Sequence, residues 1–153
     1  MVTRRAFLVC ATAVLACPAL AQSPPVTMPA AEAHAKAVDG AVTLVDIRTP
    51  GEWRETGLPA SAHAITMNQD GAALLAALDK VLGGDRSKPL AIICRTGNRS
   101  SRLIGDLQKG GYTGLIDVAE GMAGSRAGPG WLKAGLPLRP GDPQSRPVLG
   151  KTP

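Results

Sequence analysis

The chain has 153 residues, which leaves room for one domain and excludes two of ordinary size. Apolar residues make up 44% of the sequence, which excludes an intrinsically disordered chain, and aromatic residues only 3%, so aliphatic side chains must form the core. The formal net charge of +5 suits small anionic substrates, but the basic residues are too scattered for a nucleic-acid-binding surface.

Residues 1–21 have the pattern of an export signal that is removed from the mature protein. Arg4 and Arg5 give a positive start, an apolar stretch follows, and Ala19-Leu20-Ala21 is a typical cleavage site. The apolar stretch is too short to span a membrane. Because the signal directs export, we expect a periplasmic bacterial protein. The two arginines fit the twin-arginine route as well as the general secretory route, and both stay open. Lipid attachment at Cys17 is a further alternative, although Pro18 fits it poorly.

Helical and strand patterns alternate along the rest of the chain. A Pro-rich lead-in and a first helix occupy residues 22–37, the helix itself being predicted at 30–38. Further helices are predicted at 50–54, 69–82 and 100–109, a last helical turn at 131–134, and strands at 42–46, 63–67, 89–93 and 115–118. Thr49-Pro50-Gly51-Glu52 predicts a capping box at the start of the second helix.

This alternation predicts one α/β domain over residues 38–138, with a mostly parallel central sheet and helices on both faces. Residues 139–153 are rich in Pro, Gly and polar residues, which predicts a flexible tail. Asp46 and Cys94 each come at the C-terminal end of a predicted strand. Since ligands bind at those ends in such sheets, both residues indicate one site.

The segment between the apolar strand 89–93 and the next helix carries the candidate chemistry. It reads Cys94-Arg95-Thr96-Gly97-Asn98-Arg99-Ser100. Such a turn directs several backbone N–H groups to one point, and the helix start adds the positive end of its dipole. Gly97 permits a left-handed backbone, and the two arginines can hold oxyanions. We predict that Cys94 is a nucleophile, largely thiolate at neutral pH, and that residues 95–100 bind substrate.

Other polar residues have weaker patterns. Asp46 and Arg48 could support the active loop or form a structural ion pair, and we favour the ion pair. Export would leave Cys94 as the only cysteine, so a thiol without a disulfide partner must be buried or used. No His or Cys spacing predicts a metal site, and we expect no cofactor.

These motifs resemble the rhodanese family, and the resemblance extends from about Val38 to Leu138. Val45 to Trp53 resembles the family's D-x-R-x-x-x-E-[FW] segment, and residues 94–100 match its C-R-x-G-x-R-S active loop. Glu120-Gly121-Met122, Trp131 and the segment 134–138 resemble its closing motif. Two departures would reshape the rim of the site. Leu58 stands where the family's G-H-I-x-G-A motif has histidine, and residues 123–130 look like an insertion.

The resemblance implies a rhodanese-like fold and sulfurtransferase activity. Cys94 would take the outer sulfur of thiosulfate or a similar small anionic donor as a persulfide, and would pass it to cyanide, a thiol or a partner protein. Arg95 and Arg99 would hold the sulfonate and the leaving sulfite. We expect a monomer that has no membrane span and binds no nucleic acid.

Two other functions stay open. A non-enzymatic persulfide carrier or binding module would hold sulfur for a partner protein without turning over thiosulfate. A cysteine phosphatase or arsenate reductase is the other, but cysteine phosphatases place arginine six positions after the cysteine. This chain has Ser100 at that position, and Arg99 comes one residue too early.

Overall fold

The computed structural model describes residues 25–149 of the chain. The predicted signal peptide, including Cys17, therefore lies outside the described residues. Within residues 25–149, no helix is long and apolar enough to cross a membrane.

Five helices and seven strands occupy the described part of the chain. The helices are α1 (Ala30–Val38), α2 (Pro50–Thr56), α3 (Gly71–Leu82), α4 (Asn98–Lys109) and α5 (Gly130–Lys133). The strands are β1 (Val26–Thr27), β2 (Thr43–Asp46), β3 (Leu58–Pro59), β4 (Ala62–Ala64), β5 (Leu90–Ile93), β6 (Leu115–Asp117) and β7 (Leu138–Arg139). The capping box predicted at the start of α2 is present, with Thr49 as the N-cap and Glu52 as its partner.

A five-stranded sheet in the order β1-β6-β5-β2-β4 forms the centre of the fold, and all of its strand pairs are parallel. The register aligns Asp46 with Ile93 and Ile92 with Asp117. The C-terminal ends of β2, β5 and β6 therefore meet at one edge of the sheet, where Cys94 directly follows β5.

Aliphatic side chains from both faces of the sheet form two core clusters. On one face, α3 and α4 pack their leucines against Val45 and Ile92. On the other face, α1 and Trp131 cover Leu44, Ala91 and Ile93. Neighbouring residues of one strand thus point to opposite clusters, as the pleat of a strand requires. This arrangement confirms the predicted α/β fold with helices on both faces.

The segment after residue 138 differs from our expectation of a flexible tail. Leu138 and Arg139 form β7, which pairs antiparallel with β3 in a separate two-stranded sheet. Arg139 is buried and donates a hydrogen bond to the carbonyl oxygen of Ala62. Further along, the N–H of Val148 donates to the carbonyl oxygen of Ala60 at 2.7 Å. The domain therefore binds this segment through main-chain partners, which composition does not reveal.

Candidate active site

Cys94 lies between the central strand β5 and the start of α4, with only 1% of its surface exposed. Its Sγ accepts a hydrogen bond from the backbone N–H of Gly97, at 3.2 Å. The sulfur also lies close to the start of the 12-residue helix α4, whose N-terminal end is the positive end of its dipole. One backbone donor and the positive end of a helix dipole are thus both directed at this sulfur.

Gly97 holds the active loop in a shape that only glycine can adopt. Its φ is +87°, and a Cβ at this position would lie 2.4 Å from the carbonyl oxygen of Ala119. The left-handed backbone turns the Gly97 N–H back towards Cys94 and lets α4 begin at the next residue. The bond between this N–H and the sulfur therefore depends on a missing side chain.

We expect Gly97→Ala to lower both the turnover rate and the free energy of unfolding. The strained backbone alone should cost about 1–3 kcal/mol, and displacement of the loop should lower the turnover rate by about 100-fold. Gly71→Ala is the matched control, because Gly71 has no atom within 4 Å of the new methyl group and no positive φ. Denaturant titration and steady-state rates measure both effects. Equal behaviour of the two variants would contradict this role for Gly97.

Ser100 links Cys94 to a second buried group, Asp117. The Cys94 Sγ lies 3.6 Å from the Ser100 Oγ, and the Ser100 hydroxyl lies 2.6 Å from Asp117 Oδ1. Burial raises the pKa of Asp117, because it disfavours the carboxylate, while the hydrogen bond from Ser100 acts in the opposite direction. We did not single out Asp117 from the sequence. Its place near the C-terminal end of the predicted strand 115–118 is the sequence signal that could have found it.

Arg99 is engaged by Glu52 on the other side of the loop. The Arg99 guanidinium donates to both carboxylate oxygens of Glu52, at 2.5 and 2.9 Å. Glu52 also accepts from the backbone N–H of Thr49, so one carboxylate caps α2 and fixes Arg99. The hydrogen bond from Arg99, opposed by burial and assisted by Thr49, lowers the pKa of Glu52 to about 2.

The Glu52–Arg99 pair predicts a defined loss of stability in acid. The pKa of Glu52 is depressed in the fold, so its contribution is complete above the ordinary value of 4.5 and is lost as the pH falls towards about 2. We expect the free energy of unfolding to fall more steeply over this range in the wild type than in Glu52→Gln. Glu55→Gln is the control, since Glu55 makes no ion pair with the described residues and should keep the wild-type slope. Denaturant titrations at several pH values measure the slopes, and parallel curves for wild type and Glu52→Gln would refute the prediction.

Asp46 and Arg48 form the structural ion pair that we favoured. The guanidinium contacts both carboxylate oxygens of Asp46, the shortest distance being 2.7 Å, and both side chains are buried. Arg48 also donates to Thr56 Oγ1 and to the carbonyl oxygen of Gly57. The pair therefore ties the end of β2 to the C-terminal end of α2, directly beside the active loop.

Arg95 lies exposed at the mouth of the site and makes no ion pair with the described residues. It borders a depression of about 130 Å³ together with Arg48, Glu52, Glu55, Thr56, Met122, Ala123 and Leu132. The N–H of Met122 donates to the carbonyl oxygen of Cys94, and that of Ala123 donates to the carbonyl oxygen of Arg95. These two bonds attach the floor of the depression to the active loop.

The predicted insertion at residues 123–130 folds as a tight turn. Ser125 and Gly128 bridge its two sides, and the Ser125 hydroxyl donates to the carbonyl oxygen of Ala119. Together with Thr96 and Asn98, which are exposed, this turn lines a second, more open groove. The turn therefore lies beside the active loop, and its effect on substrate choice stays a prediction.

Neither histidine hydrogen-bonds to the active loop. His34 bonds to the hydroxyl of Ser61 and packs edge-on against Trp131. Burial lowers the pKa of both His34 and His63, which favours their neutral forms. Leu58, which replaces the family histidine, is fully buried. Within residues 25–149, no group of three or more metal-ligating side chains comes together.

Comparisons with known proteins agree with this fold. The family model of the rhodanese-like domain matches residues 29–127, nearly two thirds of the chain. The chain therefore belongs to the rhodanese-like domain family, which confirms the resemblance. Family membership supports sulfur transfer at the level of the family. No curated protein matches the chain.

Several solved structures share the fold. A polysulfide-sulfur transferase homodimer from Wolinella succinogenes is 24% identical, with a TM-score of 0.59, 76% of this chain covered and 80% of that chain. A rhodanese-like domain from Anabaena sp. is 17% identical, with a TM-score of 0.58 and coverages of 86% and 89%. A protein of unknown function from Rhodopseudomonas palustris, described as a possible tyrosine phosphatase, is 25% identical, with a TM-score of 0.57 and coverages of 75% and 85%.

Proposed function

We propose that this protein transfers sulfane sulfur from thiosulfate, or a similar small donor, to cyanide or a thiol acceptor through a persulfide on Cys94. The observation that carries the proposal is the Gly97 N–H bonded to Sγ at the start of α4. The polysulfide-sulfur transferase of the same fold supports it only as an analogy.

The reaction consists of two displacements at sulfur. The Cys94 thiolate attacks the outer sulfur of thiosulfate, a new S–S bond forms, and the S–S bond of the donor breaks as sulfite leaves with the bonding pair. Cyanide then attacks the outer sulfur of the persulfide, thiocyanate forms, and Cys94 leaves as thiolate. Splitting the reaction at a covalent intermediate predicts ping-pong kinetics. The Gly97 N–H and the dipole of α4 stabilise the negative sulfur.

Arg95 and Arg99 have different roles in this proposal. Arg95 is exposed and borders the depression, which supports assigning it contact with the sulfonate. Arg99 is held by Glu52, so we assign it the supply of positive charge near Cys94 and not direct contact with the donor. This differs from the equal roles that the family resemblance implied.

The same ion pair argues against phosphate as the substrate. A cysteine phosphatase needs a guanidinium that holds two oxygens of a tetrahedral anion, and in this chain both Nη atoms of Arg99 bind Glu52 instead. The loop is also one residue shorter than the C-x5-R pattern. A single sulfur atom therefore suits this cradle better than a phosphoryl group.

Steady-state assay of the full chain with thiosulfate and cyanide tests the proposed function. We expect thiocyanate formation with parallel double-reciprocal lines. A persulfide that forms without turnover would instead support the carrier function. Clear hydrolysis of p-nitrophenyl phosphate that depends on Cys94 would overturn the proposal in favour of a phosphatase.

We also propose that the protein is exported to the periplasm, on the pattern of residues 1–21. Expression of the full chain followed by cell fractionation and N-terminal sequencing tests this. We expect a periplasmic protein that begins at Gln22. Replacing Arg4 and Arg5 by lysine should block export only if the twin-arginine route is used.

A further inference from the structure

We propose that Asp117 accepts the proton of Cys94 through the hydroxyl of Ser100, so that the sulfur is ionised while the carboxyl group is neutral. This inference deepens the proposed function and rests on Cys94 being the nucleophile of that reaction. In it, Asp117 is a positioning residue, because it acts on the sulfur only through Ser100.

Cys94, Ser100 and Asp117 form one buried series of hydrogen-bonded groups that belong to three different parts of the fold. Cys94 follows β5, Ser100 lies in the first turn of α4, and Asp117 ends β6. Their exposed fractions are 1%, 0% and 5%. The distances are 3.6 Å from Sγ to the Ser100 Oγ and 2.6 Å from that oxygen to Asp117 Oδ1. A proton can therefore pass from Cys94 through Ser100 to Asp117 without a water molecule between these groups.

The protonation state of Asp117 decides whether Ser100 can donate a hydrogen bond to the sulfur. Ser100 has one hydroxyl proton, and three acceptors surround it: Asp117 Oδ1, the Gly97 carbonyl oxygen at 2.9 Å, and the sulfur. When Asp117 is ionised, the Ser100 hydroxyl donates its hydrogen bond to the carboxylate. The Ser100 oxygen can then only accept a hydrogen bond from the Cys94 thiol. When Asp117 is protonated, it donates to Ser100, whose proton becomes free to bond a thiolate or persulfide sulfur.

In the proposed transfer, each proton that one of the three groups loses is gained by the next group. The thiol proton of Cys94 moves to the Ser100 Oγ as the hydroxyl proton of Ser100 moves to Asp117 Oδ1. The products are a thiolate, a serine hydroxyl that now donates to it, and a neutral carboxyl group. No charge enters or leaves the site, so no buried pair of negative charges forms.

The surroundings of Asp117 favour its neutral form. Neither β1 nor β5, the neighbouring strands, contains a charged residue. From α4, Arg99 faces Glu52, and Arg102 is exposed. From the inserted turn, the exposed Arg126 borders the same groove as Asp117. No cation makes an ion pair with Asp117 among the described residues, and burial raises its pKa, which makes it a better proton acceptor than an exposed aspartate.

Ultraviolet absorbance of the thiolate tests the proposal, measured on the full chain against pH with the Cys94→Ser spectrum subtracted. Because an internal transfer needs no proton from solvent, the wild type should keep a nearly constant thiolate fraction from about pH 7 to pH 5. In Asp117→Asn the carboxylate is gone, and the signal should fall along a single-proton curve, by about tenfold for each pH unit below its midpoint. Coinciding curves would overturn the proposal.

Two further variants separate the relay from a general effect of charge. In a Ser100→Ala background, Asp117→Asn should no longer change the curve, and an undiminished change would overturn the role of Ser100. Asp106→Asn removes an exposed carboxylate from α4 and should keep the wild-type curve. If Asp117→Asn does not fold, Ser100→Ala alone decides, since it should give the single-proton curve and a wild-type curve would overturn the relay. The readout needs no turnover, so it can succeed or fail independently of the proposed activity.

Discussion

Replacing Cys94 by serine is expected to abolish thiocyanate formation from thiosulfate and cyanide. A serine hydroxyl at the same place is protonated at neutral pH and forms no persulfide, so the rate should fall by at least about 1,000-fold. The fold should be unchanged, because serine is slightly smaller and can still accept from the Gly97 N–H. Initial rates and a denaturant titration, run on the same preparation, measure the two properties.

Cys17→Ser is the matched control for this variant. It removes a cysteine from the predicted export signal, and we expect it to keep the full wild-type rate. Comparable rates for Cys94→Ser and the wild type would show that another group carries the reaction, and the assignment of the nucleophile would then be wrong.

The largest loss of stability is expected from Arg48→Met. This change leaves the Asp46 carboxylate buried and without its guanidinium, and it removes the hydrogen bonds to Thr56 and Gly57. Breaking a buried ion pair by removing one partner costs about 3–5 kcal/mol. Urea titration monitored by the fluorescence of the two tryptophans, Trp53 and Trp131, measures the change in the free energy of unfolding.

Two other variants show whether the buried charge is the cause. Lys109→Met breaks an ion pair whose side chains are 75% and 63% exposed, so it should change stability by less than about 1 kcal/mol. The double variant Asp46→Leu/Arg48→Met replaces both charges by apolar groups and should be more stable than Arg48→Met alone. A double variant that is less stable than Arg48→Met would show that lost packing, and not the unpaired carboxylate, dominates.

Local patterns predicted most of the fold. The helix at Ala30–Val38 is where the sequence places it, and the strand 89–93 matches β5 to within one residue. By contrast, β1, β3 and β7 have two residues each and were not predicted, because such strands exist only through their pairing partners. The helix α4 begins at Asn98, earlier than the predicted Ser100, since the positive φ of Gly97 already ends the loop.

The strand predicted at 63–67 shows how tertiary contacts extend a local pattern. Only Ala62–Ala64 is assigned as β4, yet the N–H groups of Ile65 and Met67 still donate to the carbonyl oxygens of Asp46 and Ile47. The chain continues along β2 beyond the strand assignment. A boundary of this kind depends on the neighbouring strand and is outside the reach of a sequence pattern.

The site was predicted only as far as it is continuous in sequence. The loop 94–100 and its strand-to-helix setting were recognised because they are neighbours along the chain. The partners of that loop are distant: Glu52 lies 47 residues before Arg99, and Asp117 lies 17 residues after Ser100. These contacts decide which arginine is held in an ion pair and which acid faces the serine. They depend on the order of the strands, which the sequence alone did not give.

The most direct measurement of the central claim is the intact mass of the protein after incubation with thiosulfate. We predict that the wild type gains the mass of one sulfur atom, that peptide mapping places it on Cys94, and that added cyanide removes it as thiocyanate. Cys94→Ser should gain nothing under the same conditions. A folded wild-type protein that gains no sulfur from thiosulfate, or a gain that persists in Cys94→Ser, would contradict sulfur transfer through this residue.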